Sequence, residues 1–492
     1  MAQLSLPIRW LPRYLQRARS DSLVRNSLYL MASTVITAAL GYVFWVVAAH
    51  RFTHQQVGIA GAVVSLCSTV ALLTYVGPFA MLIERLPANE FSSAWTVVLV
   101  RACLATATVT ALVTAVAVPL LRGSPDYRAF FNGAAPIIIA IAGAAAWTLV
   151  NLLGAAFIAA RRADRLLLIQ TLVSVIKVLL VFPLAAAGAA GLIKAWVVSA
   201  LLGVGLGASW LVPGMGLGRR PGPRPRRRAT VATGGRQSSD RQSRHRRPSA
   251  PPSASFLRRL AGQHLTSVGG AVTPLVLPVL VVLKLGVTQN AYFYITWMLG
   301  GIFFMVSPAV ASATFAEGVR AHSDLRAVVA KALRVIVVML APAMAIMIVA
   351  GRFILGLFGA PYAAAGYGLL ILLAISALPD AVSNVAVAVF RVTHRLSYSA
   401  ALNLGILVVT LGGAWVLMRP LGIAGVGIAW LGAQILGAIA SLPAYVLIRK
   451  PLTLAPDQAQ EPADDAERDA GVGVLIDLAK QQSLDRLGSR IP

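Results

Sequence analysis

Gly188-Ala-Ala-Gly191-Leu-Ile-Lys-Ala195-Trp196, running on to Leu202-Gly203, recurs along the chain as Gly422-Ile-Ala-Gly425-Val-Gly-Ile-Ala429-Trp430, running on to Leu436-Gly437. The displacement is 422 − 188 = 234 residues. A second pair, Arg161-Arg-Ala-Asp-Arg165-Leu166 and Arg391-Val-Thr-His-Arg395-Leu396, lies 391 − 161 = 230 residues apart. One such match is a chance glycine spacing; two at nearly one displacement indicate a duplicated unit. Both sit in strongly apolar surroundings, so the unit is a set of membrane spans.

The whole chain shares that character. Its 492 residues are 58% hydrophobic and 12% charged, with mean hydropathy +0.77, against roughly 45–50% apolar and about 25% charged in ordinary soluble domains. About 20 apolar residues cross the roughly 30 Å of bilayer hydrocarbon as a helix rising 1.5 Å per residue. That rule predicts twelve spans, near 27–49, 57–83, 95–121, 135–160, 166–187, 190–212, 262–285, 289–312, 331–350, 364–390, 397–418 and 421–447. Gly77-Pro78 and Pro119 are candidate breaks in the second and third. The expected fold is an all-α polytopic membrane protein, with six spans in each of two lobes related by an axis along the membrane normal.

Charge sets the expected orientation. Of the 43 Lys and Arg, 35 fall on the N-terminal side of the predicted membrane and six on the other, with Lys177 and Lys194 inside spans. Basic residues concentrate in cytoplasmic loops, so both termini are expected in the cytoplasm of a cell inner membrane. The net charge of +26 is thereby a matter of topology, and nucleic acid is not an expected partner. The expected organisation is a cytoplasmic segment 1–26, an N-lobe 27–212, a linker 213–261, a C-lobe 262–447 and a cytoplasmic tail 448–492. The linker, rich in Pro, Gly, Ser and Arg, has too few apolar residues to build a core and is expected to be disordered. It reads as a tether, or as a patch attracting anionic lipid at about 1 kcal/mol per basic residue.

Several chemistries are excluded. No Lys follows a Gly, so a GxxxxGK[ST] phosphate loop is absent, and no His precedes Glu, which removes HExxH. Neither Cys67 nor Cys103 belongs to a metal-spaced cluster, and both fall in apolar spans as small packing residues. The sequence predicts no enzyme, no cofactor and no metal.

Ionisable groups deep in a span are costly and become functional candidates. Lys177 lies 12 residues from Arg165, about 18 Å deep, and Asp380 lies 15 residues from Arg395, about 22 Å deep. Asp380 follows Pro379, whose ring interrupts helical hydrogen bonding, and Asn384 shares its face at i+4. A structural Lys177–Asp380 pair between the lobes and a substrate or proton role stand as equal readings. Asn151, Gln170, Asn403 and Gln434 read first as hydrogen-bonding groups between helices. Arg25 and Asn26 stand at the inner end of the first span.

With twelve spans, two halves and no nucleotide hydrolysis, the chain resembles the MOP flippase superfamily, in its polysaccharide or O-antigen branch. The resemblance covers residues 22–447. It is carried by Arg25-Asn26-Ser27 opening the first span, the glycine-rich stretch from Gly422 to Ala429 entering the last, and Leu357-Phe358-Gly359-Ala360-Pro361-Tyr362 outside the ninth. It implies two lobes about a V-shaped cavity, alternating access, and export of a polyprenyl-diphosphate-linked oligosaccharide for envelope polysaccharide synthesis. Envelope glycosyltransferases or a polymerase are the implied protein partners. In related flippases a cationic cavity suits the diphosphate, a role that Lys177 fits here. Asp380 and Asn384 would set the cavity's charge or carry a coupling proton, and Arg25, Asn26 and Asn151 complete the candidate substrate-binding set. Two alternatives stand beside this: a cation-coupled multidrug exporter of the same superfamily, disfavoured because residues 27–49 contain no acid, and a non-transporting scaffold of an envelope-synthesis complex.

Cysteines introduced at 213–258 and 455–465 are expected to react with impermeant thiol reagents only from the cytoplasm, and those at 122–134 only from outside. Labelling of either group from the opposite side overturns the orientation.

Overall fold

The computed structural model describes residues 22–86, 93–121, 125–211, 272–320, 325–393 and 395–447. The expected segment 1–26 as far as residue 21, the linker 213–261 and the tail 448–492 lie outside the described residues. Within them the fold is all-helical, without strands. The first half comprises α1 (Ser22–Arg51), α2 (His54–Arg85), α3 (Ser93–Leu121), a short α4 (Pro125–Phe130), α5 (Ala134–Ala159), α6 (Ala163–Leu184) and α7 (Gly188–Leu211). The second comprises α8 (Val272–Leu285), α9 (Val287–Gly300), α10 (Phe303–Arg320), α11 (Leu325–Gly356), α12 (Ala360–Val392), α13 (Leu396–Ala440) and a short α14 (Leu442–Leu447).

Nine stretches among the described residues are long and apolar enough to cross a membrane. Two of them, Ala163–Leu211 and Leu396–Val446, fold back on themselves at Gly188 and Gly422, and α8 is a shorter apolar helix whose preceding residues lie outside the described ones. Val116, Val349, Phe353 and Val416 are 68–84% exposed, as side chains facing lipid are. The protein is a multi-pass membrane protein. Pro78 and Pro119 are accommodated inside unbroken α2 and α3. The predicted eighth span is instead interrupted between α9 and α10, where Gly301-Ile302 forms a turn after the last helical residue, Gly300; adjacent glycines weaken a helix.

The hairpins show the repeat at backbone level. Gly188 has φ 57°, ψ −140° and Gly422 has φ 59°, ψ −143°, a region that residues with a Cβ rarely adopt. Within α13 this residue reverses the chain. Leu417 O lies 2.3 Å from where a Cβ would stand at Gly425, although eight residues of unbroken helix would span about 12 Å. The same approach joins Leu184 O and Gly191 at 1.9 Å. Nearby, Arg51 lies over the Phe182 ring at 5.2 Å and Lys284 over Trp415 at 4.0 Å, pairs related by 284 − 51 = 415 − 182 = 233. The basic loop pair fits this register better than the 230 expected from letters alone. Arg162 caps α6, Arg395 caps α13, and each donates its N–H five residues back, to Phe157 O (2.9 Å) and Phe390 O (2.7 Å). Helix starts, not matching arginines, set the correspondence.

Helices of each half pack chiefly on one another, and the principal contact between halves is α2 on α9. Their first residues, His54 and Val287, are themselves 233 apart, so a pseudo-twofold axis passes between them. The approach is tight at Gly58, where a Cβ would stand 1.7 Å from Val287 O. Asn290 Nδ2 donates to Gly58 O at 2.8 Å, and Asp126 of α4 accepts the Val287 N–H at 3.4 Å. Rings extend the seam: Tyr42 on Phe358 (5.0 Å), Trp45 on Tyr294 (4.7 Å), and His54 between Tyr292 (5.4 Å) and Tyr362 (5.3 Å). The residues of this seam lie toward one end of the bundle, the end where α1 finishes and α2, α9 and α12 begin. That end is called the far end below, and the end where α1 begins the near end.

Gly191→Ala and Gly425→Ala each push a methyl group into a backbone carbonyl and should lower stability by about 1–3 kcal/mol. Gly77→Ala, with nothing within 4 Å of its would-be Cβ, should be neutral or stabilising by up to about 1 kcal/mol. Thermal unfolding of the purified proteins measures both, and an undiminished midpoint for Gly425→Ala refutes the close approach.

Candidate functional site

Asp380 stands in α12, 12 residues and so about 18 Å from the helix end at Val392. Pro379 lacks the N–H that would reach the Ile375 carbonyl, and Ser383 Oγ donates to Pro379 O at 3.2 Å, within the loosened turn. Asn384 Nδ2 donates to the Asp380 carbonyl at 3.0 Å. The carboxyl group is 7% exposed, and its Oδ2 has no hydrogen-bond partner among the described residues.

It opens on a cavity of about 480 Å³ between α8, α9, α10, α12 and the two arms of α13, lined among others by Asn384, Arg391, Asn403, Gln434, Trp297 and Trp430. The volume falls within the roughly 300–1,000 Å³ of small-ligand sites. Arg391 lies 11 residues beyond Asp380, about 16 Å along α12 toward the near end, so the cavity runs along the helix from mid-depth to that end. Asp380 and Arg391 share its wall without forming an ion pair. Opposite them an aromatic wall is built by Trp430, edge-on to Trp297 (5.1 Å) and to Phe304 (5.1 Å).

The repeat relates this cavity to the corresponding place in the first half. At 384 − 151 = 233, Asn384 corresponds to Asn151, whose Nδ2 makes the same bond one turn back, to Trp147 O at 2.8 Å. Asp380 therefore corresponds to Trp147 and Arg391 to Ile158, while Trp430 corresponds to Trp196 at the displacement of 234 shared by the hairpin glycines Gly188 and Gly422. In the first half the Trp147 and Trp196 rings pack together at 5.5 Å, occupying with indole the position that the second half gives to a carboxylate and a cavity.

Of the residues singled out from sequence, Asp380 and Asn384 therefore meet in one site. Asn151 is the repeat equivalent of Asn384 and bonds within its own helix. Lys177 does not line the cavity; it lies in α6 with Nζ 5.1 Å from the Phe44 ring of α1 and without an ion pair among the described residues. Two turns away along α6, Ser33 Oγ of α1 donates to Gln170 Oε1. Arg25 and Asn26 line a separate cleft of about 360 Å³ at the near end with Tyr29, Arg161, Arg162 and Asp164. Arg391, Trp297 and Trp430 were not selected from sequence. The signal that finds them is the departure from the repeat: Arg391 for Ile158, beside Asp380 for Trp147.

No protein-family model matches the sequence, and no curated protein matches it. Solved structures do match the fold. One described as the inward-facing conformation of a multidrug resistance MATE family transporter of the MOP superfamily superposes with TM-score 0.55 at 16% identity, over 86% of this chain and 94% of that one. A crystal structure of MATE in complex with MaL6 gives 0.51 at 14% identity, over 87% and 96%. A MOP superfamily transporter from Pyrococcus furiosus gives 0.50 at 14%, over 87% and 95%. At these identities what is shared is the fold, that of the twelve-helix MATE transporters.

Lys177 and Asp380 have no common partner, so Lys177→Ala and Asp380→Ala should change stability additively, within about 0.5 kcal/mol. A double-mutant cycle read by thermal unfolding checks this. Recovery of several kcal/mol in the double variant would establish an ion pair instead.

Proposed function

We propose that the protein is a secondary transporter that carries a polyprenyl-diphosphate-linked oligosaccharide across the membrane by alternating access, with the near end cytoplasmic. One observation carries the reading: the two repeat-related halves are held together along a seam at the far end, while a charged cavity runs from mid-depth toward the near end. Such a shape offers a polar head group a path from one side and a closed barrier on the other. The head group enters past the near-end cleft, where Arg25, Arg161 and Arg162 surround Asn26, and guanidinium groups match phosphate oxygens in charge and geometry. Lys177 supplies a cation at mid-depth in the first half for the diphosphate. Asp380 and Asn384 take the coupling proton or cation in the second. The basic linker holds the near face against anionic lipid.

The multidrug reading has one observation in its favour, a carboxylate facing aromatic rings, which suits an organic cation. Arg391 weighs against it by placing a positive charge in the same cavity.

Both readings are measured in one strain lacking its own lipid-linked-oligosaccharide flippase, by following polysaccharide export and ethidium efflux beside the amount of protein in the membrane. Wild type should restore export. Lys177→Ala should reduce it about 10- to 100-fold at normal abundance, the loss expected for one charge-assisted contact, and Lys177→Arg should retain part. Ethidium efflux that depends on Asp380, without restored export, would install the multidrug reading.

A further inference from the structure

Asp164, in the first turn of α6, stands in the wall of two clefts at the near end. One, of about 360 Å³, is the cleft walled by Arg25, Arg161 and Arg162. The other, of about 340 Å³, shares this carboxylate and is otherwise lined by Arg165, Leu168 and Trp210. Four guanidinium groups thus line the two clefts with one carboxylate, and none forms an ion pair with it among the described residues. Arg161 has φ 52°, and its N–H and that of Arg162 donate to Ile158 O (3.0 Å) and Phe157 O (2.9 Å), so the turn that ends α5 fixes where both side chains leave the backbone. Arg165 lies over the Trp210 ring at 5.2 Å.

An apolar stripe leads from the second cleft into the membrane. Leu168, in the cleft wall, is followed at helical spacing by Leu172, Val175 and Leu179, which with it are 56, 42, 36 and 59% exposed in chain order. At about 100° per residue these four share one face of α6, while Gln170 and Lys177 stand about half a turn round, on the face toward α1. From Leu168 to Leu179 is 179 − 168 = 11 residues, or about 16 Å, close to half of the roughly 30 Å hydrocarbon thickness. The stripe is therefore as long as one leaflet is deep.

We propose that this groove is a binding site for an anionic phospholipid, whose head-group phosphate is held by Arg161, Arg162 and Arg165 and one of whose acyl chains lies along the α6 stripe. Guanidinium groups match phosphate oxygens in charge and geometry, and basic pockets between spans are places where anionic head groups are held. A zwitterionic head group would bring its ammonium against four guanidiniums. The bound lipid is distinct from whatever the protein carries, because its stripe lies on the opposite face of α6 from Lys177. Topology alone asks for basic residues at this end of both halves, yet the repeat does not share this set. At a displacement of 233, Arg161 and Arg165 are answered by His394 and Tyr398, and Leu168, Leu172 and Leu179 by Ala401, Gly405 and Gly412. The arginines and the bulky apolar residues change together, as two parts of one site would.

The test uses the full chain purified in detergent and reads lipid binding by native mass spectrometry and thermal shift. The probes are phosphatidylglycerol, cardiolipin, phosphatidylcholine, polyprenyl diphosphate and inorganic phosphate. Phosphatidylglycerol and cardiolipin should bind wild type about tenfold or more tightly than phosphatidylcholine. Arg161→Gln and Arg165→Gln should each weaken them about fivefold, the contribution of one arginine at a lipid surface. Arg334→Gln, which removes an exposed arginine of α11 outside the groove, should leave them unchanged. Equal binding of phosphatidylcholine, or an equal loss in Arg334→Gln, reduces the effect to general charge and overturns the site. Displacement of phosphatidylglycerol by equimolar inorganic phosphate overturns the lipid as occupant. If the two groove substitutions weaken polyprenyl diphosphate but not phosphatidylglycerol, the groove belongs to the carried lipid, and the proposal falls while the transporter reading stands. Arg161→Gln carries the measurement if Arg165→Gln, which frees Trp210, does not fold.

Discussion

The arrangement of the two halves depends on how closely α2 and α9 meet at Gly58. A hydrogen atom there lets Val287 O approach to 1.7 Å from where a Cβ would stand, and the Gly58 carbonyl is then in reach of Asn290. Any other side chain would part the helices and with them the ring contacts that close the far end. Besides two hydrogen bonds and four ring contacts, each worth about 0.5–1.5 kcal/mol net, the seam buries apolar side chains of both halves, among them Val57, Ala60, Ala291 and Ile295.

Duplication explains most of the architecture, and departure from it explains the site. The two hairpin glycines, the Arg51–Phe182 and Lys284–Trp415 contacts and the Asn151 and Asn384 bonds recur in the same register because each solves a problem that both halves share, turning or bracing helices where backbone groups must be satisfied internally. Asp380 and Arg391 answer no such need. Their counterparts Trp147 and Ile158 show that the position can be filled by apolar side chains, and an ionisable group in place of one costs at least about 2.5–3.5 kcal/mol at mid-membrane.

The spans were legible in the sequence because bilayer thickness sets a length that composition must satisfy, and Gly188 and Gly422 were legible because they recur in one pattern. The interruption at Gly301-Ile302 was missed, since hydropathy is continuous across it. That Lys177 and Asp380 do not share a cavity was illegible for a different reason. Counting residues along a helix gives depth, but not which neighbour a side chain faces. Lys177 turns toward Phe44 within the first half, and Asp380 lines a cavity within the second. The cavity itself was illegible by pattern, because its walls come from five helices whose polar residues are far apart in the chain.

Asp380 and Arg391 also constrain the medium around them. Opposite charges that share a cavity without pairing forgo their mutual attraction, and in a dry interior the penalty for each would be several kcal/mol. They are stable as charges only if water or a polar ligand reaches them. The far end offers no such route, because the seam of Tyr42, Trp45, His54, Tyr292, Tyr294, Phe358 and Tyr362 lies across it. The near end does, since Arg391 sits at the last turn of α12, two residues before its cap at Thr393. A route for water to Asp380 therefore runs beside Arg391, along the cavity wall that the two residues share.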